Sequence, residues 1–600
     1  MNPKQLLALA AAGRKNQPRG ERWTVEWQQV LNGYILRGGR YGARLVLGEQ
    51  PFFSFVLDGV NFGEFPAAAA FDQLGQKEVL GAITLEKLDR RGEALEAVFR
   101  AESSLWQEHT FVWRFEKRRA EHFHTVKGQG PLGRCFFFST GIPGEYDPGD
   151  SQGFAYNARI NAEFYFNPDT NLGNVEEFRN AQYGTTGLWP EFPVREQLLL
   201  EKSQGDFAPS PLCFCFYDGQ SAMGVGLGAQ PGQYRFASFE YSGARKRGAA
   251  FYINYLGYTQ AQGGYTTPSV SFTFGSGPLD VLEKHIDWCD DRGFSTQFAY
   301  EPAPWHRAPV FCGWAEQTVQ SYLKNTESGA EATQKNYEEW IAKLEERGVP
   351  FSTIVIDDKW QKYYGTFEVD EEKWPDMKGF IDAQHKKGRH VLLWTASYHT
   401  QGLPDQMCVF NQEGRKIFAN VADPAYEKLM REQITHLVRD VGADGFKEDW
   451  IGGCGREAGI PGYGALHGIE MVRRFQWILW DAAHQVKPDA LVETQTPHPL
   501  FRESSDVLRL NDLWFSTRHV CDTMQTRARV ARIAGWQVLD CDNASCTTVK
   551  EWFQYMQFQT RLATPALYCV SRTESFYEEI PEGMWRYVAE AWKKYVEENL

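Results

Sequence analysis

The second half of the chain alternates short apolar runs with amphipathic stretches, and this constrains the fold more than any other feature. Pro309 to Trp314, Ser352 to Trp360, His390 to Ala396 and Ala443 to Trp450 read as the first four strands. Ala490 to Thr496, Val507 to Asp512, Gly535 to Asp542 and Thr564 to Val570 bring the set to eight. Between them, Tyr337, Trp340, Ile341 and Leu344 follow helical spacing that stops at Gly348. Asp423-Pro424 marks another helix start, and Met471, Phe475, Ile478 and Leu479 fall on one face of a third. A last helix runs from Glu582 to Glu598. Eight strands with parallel crossovers predict an α/β protein, a (β/α)8 TIM barrel over residues 306–600.

Residues 21–277 have a different texture. Runs such as Glu21 to Trp27, Ala94 to Arg100 and Thr110 to Phe115 are β-branched, aromatic or alternating, and Gly and Pro punctuate them. This predicts a large antiparallel β-sandwich. A helical linker over 278–305, ending in the proline-marked Ala299 to Trp305, joins the two parts. Residues 1–20 form an N-terminal segment, read as a small amphipathic helix rather than a secretory signal. The aromatic-rich stretch Asn157 to Glu201 is expected to reach toward the neighbouring domain or to cover the sandwich.

Charge and composition remove several functions. A formal net charge of -14 disfavours nucleic acid and anionic membrane surfaces. No apolar run approaches the ~18 residues that a membrane span needs. The 11 cysteines show no metal-type spacing, which reads as reduced thiols in a cytoplasmic protein, with secretion or a periplasmic location left open. Oligomeric state is also open, a homo-oligomer included.

In such barrels the working residues sit at the C-terminal ends of the strands. Here those ends carry Trp314-Ala315-Glu316, Asp357-Asp358, Trp394, Lys447 with Asp449, Glu493, Arg509 with Asp512, and Asp540 with Asp542. Alternation along the fourth strand turns Lys447 and Asp449 the same way and Glu448 the other. Three chemistries can use such a ring. A divalent metal could sit among Asp449, Glu493 and Asp512. A zinc or nickel hydrolase would want histidine pairs, which these strand ends lack. Two carboxylates could cleave an acetal, one attacking carbon and the other protonating the leaving oxygen. Tryptophan walls and paired aspartates fit a sugar better than a metal.

Four motifs then resemble one clan of enzymes. Gly442 to Trp450 is similar to the Lys-x-Asp nucleophile strand of the retaining α-glycosidases that include α-galactosidase families 27 and 36. Ile356-Asp357-Asp358-Lys359-Trp360-Gln361 resembles their Asp-Asp-Gly-Trp strand, and Arg509-Leu510-Asn511-Asp512 their Arg-x-Ser-Asp strand. Gly535 to Asp542 resembles a fourth motif, and the likeness is placed nearest family 36 and raffinose-synthase-like proteins. The resemblance implies Asp449 as nucleophile and Asp512 as general acid/base, with Asp506 and Glu503 as lesser rivals for the acid. It implies Asp357, Asp358, Lys447 and Arg509 as sugar-binding groups, and Trp314, Trp360 and Trp394 as pocket walls. It implies an exo-acting hydrolase of α-linked galactose or N-acetylgalactosamine, with no metal and no organic cofactor. An α-galactosyl transglycosylase, an α-glucosidase or α-xylosidase specificity, and a non-catalytic sugar-binding protein are the alternatives. Two departures bear on the sugar: Lys359 stands where the motif has glycine, and Trp450-Ile451 follows the nucleophile.

Overall fold

The computed structural model describes residues 27–37, 41–142, 157–168, 176–177, 183–187, 209–244, 248–453, 466–512, 520–545 and 548–600. The expected N-terminal helix, the strand from Glu21 apart from Trp27, and most of the 157–201 stretch lie outside these residues.

From Gln28 to Gly275 the described elements are strands, gathered into antiparallel sheets of six, ten and six. Their inward faces are aromatic. Phe55 stacks on Phe272 at 4.7 Å between ring centres, and Trp113 meets Phe138 at 5.3 Å. Rings of this size each remove about 150–250 Å² from water, which is how a three-sheet assembly acquires a core. A helix, α1 (Pro278–Arg292), then packs Val281, Leu282 and Ile286 against this core.

The barrel follows. Its strands are β1 (Val310–Cys312), β2 (Thr353–Ile356), β3 (His390–Ala396), β4 (Gly445–Asp449), β5 (Leu491–Thr494), β6 (Val507–Arg509), β7 (Leu539–Asp540) and β8 (Ala566–Leu567). They pair in parallel in the order β7-β6-β5-β4-β3-β2-β1-β8. A parallel bridge from Asp540 to Thr564 joins the two ends and closes the ring. Around it lie α2 (Trp314–Lys324), α3 (Gln334–Glu346), α4 (Met377–His385), α5 (Pro424–His436), α6 (Ile469–Val486), α7 (Val520–Ile533), α8 (Val549–Leu562) and α9 (Glu582–Asn599).

The sequence periods explain the helices. Tyr337, Trp340, Ile341 and Leu344 are the buried residues of α3, each worth roughly 1.5–3 kcal/mol when removed from water. The Asp423 carboxylate accepts the Ala425 N–H at 2.8 Å and starts α5, with Pro424 at its first position. No described helix is long and apolar enough to cross a membrane.

Register sets the site. Trp394, Lys447 and Glu493 are partners across β3, β4 and β5, so they share one layer and one face. Asp449 stands two residues above Lys447, opposite Ala396. β4 begins at Gly445 (φ +154°), where a Cβ would lie 1.9 Å from the Leu491 carbonyl oxygen, so only glycine lets β4 and β5 approach this closely.

Candidate active site

Arg509, at the end of β6, has no exposed surface and collects the acids around it. Its Nε meets the Asp542 carboxylate at 2.7 Å, and its Nη2 donates to Asn511 Oδ1 at 2.9 Å. The same nitrogen lies 3.4 Å from Asp449 Oδ1 and 3.9 Å from Asp512 Oδ1. Two carboxylates from different strands therefore converge on one guanidinium corner. Both keep an opening: their side chains are 13% and 14% exposed, whereas those of Arg509 and Asp542 are 0%.

The two acids differ in their company. Asp449 is held at both oxygens. The Trp394 indole N–H donates to Oδ2 at 3.0 Å, and the Trp450 backbone N–H donates to Oδ1 at 2.9 Å. Trp450 adopts φ +58°, a conformation that costs a bulky residue on the order of 1–2 kcal/mol, and it places both that N–H and its own ring at the mouth. Asp512 Oδ1, by contrast, has no hydrogen-bond partner among the described residues. Burial and the nearby Asp542 push the Asp512 carboxyl well above the usual range, against the pull of Arg509. Asp542 goes the other way, held low by Arg509 despite its burial. The arrangement thus gives one acid that retains its proton and one anchored by three donors.

Lys447 does not serve as Asp449's neighbouring cation. Its ammonium pairs with Asp357 at 2.9 Å and lies 5.1 Å from the centre of the Tyr568 ring. Asp357 also accepts from the Cys312 thiol at 3.0 Å and from the Asp358 N–H at 2.9 Å. Asp357 follows the last residue of β2 and stands at the level of Lys447, so the two side chains meet across the intervening β3. The cation beside Asp449 is Arg509.

Asp358 faces the mouth and accepts from the Tyr364 hydroxyl at 2.8 Å. Burial, with Asp357 and Asp449 nearby, raises its carboxyl to about 7. Glu493 is likewise raised to about 7, by burial and then Asp542. Glu448 points away, as alternation requires, and receives hydrogen bonds from Ser397 and from Gln476 on α6.

The tryptophans divide. Trp394 stands at the site, holding Asp449, whereas Trp314 is half-buried and is the first residue of α2 rather than a strand end. Trp360 is a correction: it has no exposed surface and donates its indole N–H to the Trp394 carbonyl at 2.8 Å. It braces the wall from behind because the chain turns after Asp358. The wall is instead Tyr364, which stands in the loop after β2 rather than at a strand end. Its ring meets Trp394 at 5.8 Å, His399 at 4.8 Å and Trp450 at 5.1 Å. The signal available was a second aromatic pair, Tyr363-Tyr364, in the loop after the paired aspartates.

The rival acids lie elsewhere. Asp506 accepts the Val492 N–H at 2.7 Å and the Trp480 indole at 3.1 Å, at the opposite end of the strands. Glu503 pairs with Arg473 at 2.6 Å. Glu316 caps the loop after β8 through the Val570 and Ser571 N–H groups. Among the described residues no three His, Cys, Asp or Glu side chains form a metal-holding group.

Residues 314–456 match the TIM-barrel domain of glycosyl hydrolases family 31. This stretch runs from Trp314 past Asp449. An α-xylosidase of Lactiplantibacillus pentosus is 26% identical over 233 residues, covering 33% of this chain and 29% of the relative. The chain thus matches less than a third of the length of that curated relative. Among solved structures, a family 31 sulfoquinovosidase from E. rectale superposes with a TM-score of 0.55 at 9% identity, covering 92% of this chain and 82% of that one. The galactosidase domain of an α-galactosidase–sucrose kinase gives 0.51 at 10% identity, covering 96% and 86%. Both are likenesses of fold. The retaining-glycosidase resemblance is supported, but its placement nearest family 36 is corrected: the family model that fits is that of family 31.

Proposed function

We propose that the chain is a retaining exo-α-glycosidase acting on α-xyloside or α-glucoside-type substrates, with Asp449 as nucleophile and Asp512 as general acid/base. The observation that carries the chemistry is the convergence of these two solvent-reachable carboxylates on one Arg509 nitrogen. The family 31 match and the α-xylosidase relative favour this sugar class over the galactose or N-acetylgalactosamine expected from the motifs, for which the comparisons lend no support.

In this mechanism Asp512 gives its proton to the departing oxygen while Asp449 attacks the anomeric carbon. Asp512 then withdraws a proton from water, which opens the covalent intermediate. Two inversions return the original configuration, which calls for carboxyl groups ~5–5.5 Å apart in the loaded enzyme. The Trp394 and Trp450 N–H groups fix the direction of attack, and Arg509 offsets charge as the oxocarbenium-like state forms and collapses.

The test is an Asp449→Gly variant assayed on aryl α-xyloside and α-glucoside with azide. Turnover should fall by at least about 10³-fold and return with azide, giving a glycosyl azide of inverted configuration. A variant that retains activity, or an azide product of retained configuration, would remove Asp449 from the role.

A further inference from the structure

The residue after Asp358 is a lysine, and its surroundings differ from those of Lys324 and Lys373. Lys373, further along this loop, pairs with Asp370, and Lys324 pairs with Glu331 at 2.6 Å, whereas Lys362, the next lysine in the chain, lies 5.6 Å from the centre of the Tyr363 ring. Lys359 makes no ion pair among the described residues. Its ammonium donates to Gln401 Oε1 at 3.1 Å and lies 4.5 Å from the centre of the Tyr364 ring. Tyr364 is the same side chain that donates to Asp358 and contacts Trp394 and Trp450. One ring therefore separates the Lys359 cation from the tryptophan that holds Asp449.

Two bland roles fit poorly. A lysine serving only to neutralise Asp358 would approach that carboxylate, yet Tyr364 fills the position at 2.8 Å. A lysine serving only solubility would extend into water, yet this one is half-buried and oriented by Gln401 and the Tyr364 face. The adjacent His399 adds no competing charge, since burial and Lys359 itself hold its imidazole below the usual range. The mouth otherwise presents Asp449, Asp358 and Asp512, and the chain carries a net charge of -14. An anionic substrate would be repelled from such a mouth unless one fixed cation received it.

We infer that Lys359, with Gln401 and Tyr364, forms a subsite for an acidic substituent, carboxylate or sulfonate, on the sugar presented to Asp449. This rests on the glycosidase reading and narrows its substrate class from neutral to acidic α-glycosides. The ammonium supplies a charge-assisted hydrogen bond to the anion, and the Gln401 amide supplies a second donor once its oxygen is released.

The experiment compares kcat/KM for four nitrophenyl α-glycosides: glucuronide (carboxylate), 6-deoxy-6-sulfoglucoside (sulfonate), glucoside and xyloside. The wild type should prefer one acidic glycoside, and the preference should weaken with added salt. In Lys359→Met the ratio of acidic to neutral kcat/KM should fall about 10–100-fold, mainly through KM, and Lys359→Arg should recover most of it. Preference for neutral glycosides by the wild type, or a Lys359→Met loss equal on all four, overturns the subsite and leaves the glycosidase reading in place. Absence of turnover on all four, with no covalent labelling of Asp449, overturns both.

Discussion

In the β-rich half, Glu78, His109, His124 and Cys135 make an unbroken buried file. Glu78 meets His109 at 2.9 Å, His109 meets His124 at 2.7 Å, and His124 meets the Cys135 thiol at 3.2 Å. At the barrel mouth, Asp542, Arg509, Asp449 and Asp512 make a second cluster of similar size. The first is complete: burial holds the His124 imidazole well below its ordinary value, and each group in the file uses its neighbour. The second is incomplete, with Asp512 Oδ1 lacking a donor among the described residues and two carboxylates open to solvent. Burial perturbs titration in both places. What separates a structural cluster from a reactive one is the unfilled valence beside an opening.

The sharpest way to break this contrast is to remove the cation that organises the mouth. Arg509→Met should lower kcat by about 10²–10³-fold. Because Arg509 pulls the Asp512 carboxyl down, its loss should also move the alkaline limb of kcat/KM to higher pH. Stability should fall by about 3–5 kcal/mol, since Asp542 is left buried and unpaired. Residual activity with an unmoved alkaline limb would place the acid elsewhere.

A second variant separates stability from chemistry on one strand. Burial raises the Glu448 carboxyl from 4.5 to about 8, so the folded state binds more protons than the unfolded one across that window. Its contribution is full below pH 4.5 and is lost as pH rises toward 8. Glu448→Gln should therefore flatten the decline of Tm between those limits, and the variant should melt above the wild type at pH 8. Parallel curves for the two proteins would show that Glu448 is already ionised in the fold. The smallest effect on catalysis is expected in the β-rich file: His109→Gln should cost about 1–3 kcal/mol in a denaturant melt while kcat/KM stays within about two-fold. A loss of activity beyond the loss of folded protein would tie the file to the barrel.

The barrel was readable because periodicity survives without knowledge of partners. β3 was placed at His390–Ala396 to the residue, since seven paired positions leave a clear apolar run. β7 shrank from the expected Gly535 to Asp542 to Leu539–Asp540, because the Gly535 and Trp536 N–H groups still bond back to the last turn of α7. The pairing of Lys447 was unreadable: Asp357 lies 90 positions away, and nothing local distinguishes it from Asp449. Trp360 was expected at the wall and Tyr364 was not, for a related reason, since only the path of the loop decides which ring faces in. The motifs, shared across a wider clan, put galactose first, whereas the comparisons favour the α-glucosidase or α-xylosidase alternative.

The narrow approach of β4 to β5 at Gly445 also fixes phase. Slippage of that strand by a single position would send Asp449 out to the helices and bring Glu448 into the cavity, exchanging an anchored carboxylate for one that holds its proton. With no room there for even a methyl group, the chain cannot drift into that alternative gradually. The identity of the proposed attacking group is thus guarded by a residue that has no side chain, four positions upstream.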